Sequence, residues 1–173
     1  MDMTEGIIAR FRTMAIARAS VLTAHVIGSM IQTLLGIGVI TGVALLIGFR
    51  PSAGPVEWLG AAGVLVMITF ALAWLSVALG LVPKTVEAAS NLPMPLVFLP
   101  FLGSGFVLTG SMPTALRVFA EYQPFTPFIE TVRGLLVGTP IGNGAYLAAG
   151  WCAVIALGGY VWAKKLFNRD PSR

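Results

Sequence analysis

Between Ala19 and Phe49 the chain carries no Asp, Glu, Lys or Arg for 31 consecutive residues. About 20 apolar residues suffice to cross a bilayer as an α-helix, so this run spans with tilt or begins in the interface. The rest of the chain is of the same character. Of its 173 residues 57% are hydrophobic and 10% charged, with a mean hydropathy of +0.88. Soluble domains carry about 25% charged residues. A water-soluble core of this length could not hide so much apolar surface, so the bilayer is the solvent. The expected fold class is an all-α integral membrane protein, a single membrane domain over 1–173, because helices satisfy their own backbone groups in lipid.

Four spans are read in order. The first is 19–49. His25 and Gln32 are its strongest polar groups; His25 reads as a hydrogen-bonded or interfacial histidine, with a proton relay as the alternative. Gly38 and Gly42 form a GxxxG pair that permits close helix packing, within or between subunits. A Pro/Gly loop carrying Arg50 and Glu57 returns the chain to water. The second span is 58–82, opening on an interfacial Trp58. After Pro83–Glu87 the third runs over 88–110, where Pro93, Pro95 and Pro100 remove backbone donors and are expected to kink or interrupt the helix. Asn91 near its start reads as a cap or an inter-helix hydrogen bond, with a place on a substrate path left open. The fourth span is 145–163, and Cys152, the single cysteine, reads as a small apolar residue inside it. No disulfide can form within the chain.

Residues 111–138 are proline-punctuated and partly charged, yet too apolar for an ordinary loop. Exposed to water their Phe, Val and Leu gain nothing; irregular in lipid their backbone would be unsatisfied. A re-entrant or interfacial pair of short helices meets both constraints. Ser111 is expected to cap the first, near Pro113, and Pro124 to end it. Thr126 is expected to cap the second, with Pro127 at its first position, and Glu130 and Arg133 are spaced to pair. The pair reads as an outer gate formed by Met112, Pro113, Pro124, Phe125, Pro127, Glu130 and Arg133. A static external cap is the alternative.

Four spans place both termini on one side. If that side is cytoplasmic, it holds Arg10, Arg12, Arg18, Lys84, Lys164, Lys165, Arg169 and Arg173, while Arg50, Arg117 and Arg133 lie outside. This is the positive-inside bias. The net charge of +4 thus reads as orientation rather than as a nucleic-acid partner. The spans lack paired carboxylates, a metal constellation and a nucleophile with its base, so enzyme and ion-driven carrier readings find no support. The piece Gly80–Thr85 lacks the glycines of a phosphate-binding loop and follows no strand, so no ATP site is read here. No cofactor is expected on the chain.

Residues 2–18 read as an amphipathic helix, with Ile7, Phe11 and Met14 on one face and Arg10, Arg12 and Arg18 holding it at the cytoplasmic surface. An anchoring role alone is one reading.

The spaced pattern Asn91…Pro95…Pro100…Gly103-Ser-Gly-Phe106…Met112-Pro113…Pro124-Phe-Thr-Pro127…Arg133-Gly-Leu-Leu…Gly138 resembles the C-terminal half of ABC type-2 exporter permeases, in the daunorubicin-resistance-like branch. Leu108 departs from it, standing where that family often has proline. The resemblance implies that Gly6, Ile7, Arg10, Phe11, Arg12 and Arg18 dock on a separate ATP-binding subunit, and that a second permease copy, in a homodimer or heterodimer, completes the path. It implies export of drug-like or lipid-like cargo across the plasma (cell inner) membrane by alternating access. Family members typically have two further spans before the amphipathic helix. The expectation that follows is a truncated copy, half of a split permease or a misassigned start. The alternatives from other classes are a non-transporting membrane scaffold or remnant, and a small channel-like protein.

Overall fold

A computed structural model of the chain describes residues 18–83, 91–92, 94–102 and 113–167. The amphipathic segment 2–17 lies outside the described residues.

Helix α1 runs Arg18–Ile47. It ends where Gly48 turns to φ 114°, a conformation that costs glycine nothing. The Gly48 amide donates to the Leu45 carbonyl at 3.2 Å and the Phe49 amide to Ala44 at 2.9 Å. This paired closure satisfies carbonyls that the helix end would leave bare.

Helix α2 is Pro55–Gly80. It starts three residues before the expected Trp58, because Pro55 is pre-organised for a first helical position and needs no N–H there. The last helix, α6, is Gly144–Phe167, and its last turn holds Lys164 and Lys165. Cations at a helix C-terminus are favourable, and the helix passes beyond the expected Ala163. Stretches of α1, α2 and α6 (Leu22–Ile47, Pro55–Gly80 and Gly144–Leu166) are long and apolar enough to cross a membrane.

The third expected span is not seen as one helix among the described residues. Helix α3 covers only Met94–Phe98 and gives way to a 3-10 turn over Leu99–Leu102. The change falls at Pro100, which lacks the N–H that an α-helical bond would need. Helix α4 is Thr114–Tyr122 and helix α5 is Phe125–Val137. Among the described residues there is no strand.

Two clusters of buried side chains fix the arrangement. Leu22 and Val26 of α1 meet Ala73, Trp74 and Ala78 of α2 and Ala163 of α6, with Met30 and Tyr160 alongside. The start of α1 and the ends of α2 and α6 therefore share one end of the bundle. Residues 18 and 167 lie on the same side, and the loops after Ile47 and Val137 lie on the other. Helices α2 and α6 run parallel, and α1 runs against both.

Gly159 makes the tightest of these approaches. A Cβ there would stand 2.8 Å from the backbone of Trp74 and Leu75. Helix association in lipid depends on such close packing, since lipid tails are as apolar as the helices. Trp74 and Tyr160 meet edge to face at 4.9 Å, and the Lys164 ammonium lies 5.9 Å from the Tyr160 ring centre.

Candidate functional site

The second buried cluster shows what α5 does. Phe128 packs against Ala71 of α2 and Ala148 and Cys152 of α6, with Met67, Ile68, Phe125, Trp151 and Ile155 around it. At its other end, a Cβ added at Gly60 would stand 3.4 Å from the Leu135 side chain, and one added at Gly138 would stand 3.2 Å from the Ser52 hydroxyl. Helix α5 thus runs antiparallel to α2 and α6. From Gly60 to Ala71 is eleven residues, about 16 Å of helix rise. The N-terminal end of α5 therefore lies beside the middle of two membrane-length helices, and its C-terminal end lies at their mouths.

The sequence explains how this end is tolerated in an apolar seat. A helix start leaves its first N–H groups unbonded. Pro124 and Pro127 carry none, which halves the number left over. The cap differs from the expected one. The helix begins at Phe125, Pro124 occupies the cap position without a side-chain hydrogen bond, and Pro127 is third rather than first. Thr126 is buried inside the first turn and does not cap it. Helix α4 likewise starts at Thr114 with Pro113 before it and no side-chain cap; Ser111 lies outside the described residues. The buried Thr131 hydroxyl donates to the Pro127 carbonyl at 2.6 Å, and Thr69 does the same to Leu65.

At the top, Gly138 at φ 80° closes α5 by donating to the Gly134 carbonyl at 2.9 Å. Gly134 allows the following turn to fold back, because a Cβ there would collide with Ile141 and sit 2.9 Å from the Thr139 carbonyl.

Of the expected gate residues, Pro124, Phe125, Pro127, Glu130 and Arg133 lie on or at the start of α5, with Pro127 buried and the others half-buried. Pro113 is exposed at the far end of α4, and Met112 lies outside the described residues. On α4, Arg117 and Glu121 pair at 3.9 Å, one helical turn apart and solvent-exposed, worth little. Of the expected docking residues, Gly6, Ile7, Arg10, Phe11 and Arg12 lie outside the described residues, and Arg18 is the first residue of α1. Gly38 and Gly42 have no atom within 4 Å of where a Cβ would stand, so they pack against nothing described in this chain.

Sequence reasoning passed over Gln123, the residue between α4 and α5. It is 5% exposed. Its backbone N–H donates to Phe119, but its side-chain Nε2 and Oε1 have no hydrogen-bond partner. An uncharged polar residue just before a proline reads as a turn former, and only the tertiary structure reveals that Gln123 is buried.

A family model described as ABC-2 type transporter matches residues 1–137. The chain is 28% identical over 160 residues to a daunorubicin resistance ABC transporter permease protein of Streptomyces coeruleorubidus, covering 90% of this chain and 56% of that protein. It is 26% identical over 136 residues to a Mycobacterium tuberculosis protein named "Probable doxorubicin resistance ABC transporter permease protein", covering 79% of this chain and 49% of the relative. The chain thus spans about half the length of these curated relatives. No solved structure matches it.

Proposed function

We propose that this chain, which belongs to the ABC-2 type transporter family, acts as membrane-spanning permease sequence of an ATP-driven exporter. It moves drug-like or lipid-like molecules out across the plasma membrane by alternating access. ATP is bound and hydrolysed on a separate subunit, which docks on Gly6, Ile7, Arg10, Phe11, Arg12 and Arg18, and a second permease copy faces this one. Both termini lie in the cytoplasm, on the side with the greater number of cations. Helices α4 and α5 form the outer gate.

The observation that carries the reading is the family match over residues 1–137. The seat of α5 supports the gate. A short helix inserted halfway from the side of the loops, with Phe128 seated in an apolar cluster, is a plug that can be withdrawn without breaking a spanning helix. The names of the relatives, in daunorubicin and doxorubicin resistance, favour amphipathic aromatic cargo.

The test is reconstitution with an ABC ATP-binding subunit in vesicles loaded with a fluorescent anthracycline. ATP-dependent movement of the drug is expected, together with recovery of the subunit by pull-down. Deletion of residues 1–17 should abolish both. Equal recovery without that segment removes the docking assignment, and no ATP-dependent movement with the intact complex removes the export reading.

A further inference from the structure

Prolines strip backbone donors from the inserted end of α5, and Thr69 and Thr131 return their hydroxyls to their own helices. Against that economy, the same tip buries the Gln123 amide with nothing to bond. A buried donor and acceptor left unmade cost the docked arrangement their full desolvation, whereas an apolar side chain of similar shape would cost nothing. Such an amide regains its hydrogen bonds when the tip moves out into water.

We infer that Gln123 is a built-in release device for the α5 plug: its unpartnered amide weakens docking against α2 and α6 and so sets how readily the outer gate opens. This deepens the gate reading and rests on it. The expected size is at least about a tenfold increase in the undocked fraction relative to an apolar residue at the same place, the usual cost of even one of the two unmade groups.

The chain carries its own reporter. Cys152, the single cysteine, is 2% exposed and lies in the cluster with Phe128 of α5. Lifting α5 uncovers the thiol, so the rate of thiol labelling tracks the undocked fraction when reseating is fast. The experiment is N-ethylmaleimide labelling of the full chain in membranes, for the unmodified protein, Gln123→Met and Gln123→Asn. Gln123→Met should label at least about tenfold more slowly and melt a few degrees higher. Gln123→Asn, which keeps the amide, should label at close to the original rate. An unchanged rate in Gln123→Met overturns the inference. So does a faster rate with a lower melting midpoint, which would mean that the amide is bonded where it sits. The readout needs neither ATP nor cargo. Slowed labelling in Gln123→Met alongside failed vesicle transport therefore upholds the device while removing the exporter reading.

Discussion

Gly159 and Gly42 are the same residue in two helices of similar composition, and their surroundings are opposite. Gly159 is pressed against the Trp74–Leu75 backbone, while Gly42 faces open space. The contrast extends to the helices. Helices α2 and α6 form a seam filled by small residues and plugged by Phe128 of α5. Helix α1 joins them through Leu22 and Val26 near its start, and its second half leaves Leu35, Val39, Ile40 and Leu46 exposed, Leu46 by 88%. A stripe of glycine therefore means nothing until its neighbour is known. The seam commits its small residues to the fold. The second half of α1 keeps its own for lipid or for another polypeptide.

The comparison breaks most sharply at the seam. Gly159→Leu should force α2 and α6 apart. Overpacking commonly costs about 1–3 kcal/mol, and with backbone as the obstacle we expect the upper end, read as a fall in monodisperse yield and melting midpoint in detergent. A melting midpoint equal to that of the unmodified protein would show that the helices do not cross there. Phe128→Ala removes the plug from the seam without touching the spanning helices. Such truncations cost about 3–5 kcal/mol in water-soluble cores. The cost here should be smaller, because lipid competes for the same apolar surface. Labelling of Cys152 should rise at least several-fold. Thr131→Val deletes one hydroxyl bond within α5, where a net hydrogen bond is worth about 0.5–1.5 kcal/mol; a small melting shift is expected. Gly42→Leu sharpens the comparison from the other side. It should leave the melting of the isolated chain unchanged within about 0.5 kcal/mol, yet weaken self-association if α1 packs on a second copy, as measured by cross-linking in membranes.

The spanning helices were legible because their signal is local. Charge-free length, a flanking Pro55 and the Gly48 stop each act within a few residues, and the ends observed fall close to those expected. The count of four spans put the two ends of the chain on one side as an expectation; the packing of Leu22 and Val26 beside Ala163 places the start of α1 and the end of α6 at one end of the bundle. The third span was harder, since three prolines in eight positions leave hydropathy high while destroying the helical hydrogen-bond pattern that hydropathy is taken to imply. In the 111–138 segment, Pro127 drew the start of α5 two residues too late. Proline is acceptable anywhere among the first unbonded amides, so it marks the first turn rather than its first residue.

Residue order along the chain was enough to say that the three long helices are apolar enough for lipid and close to where each begins and ends, because the bilayer imposes length and backbone satisfaction on every helix separately. Which glycine touches a backbone, how deep α5 sits and that Gln123 is shut away from water depend on residues far apart in the chain meeting at ångström range. In a solvent as apolar as the helices themselves, composition carries no preference among such meetings; only the shapes, once assembled, choose.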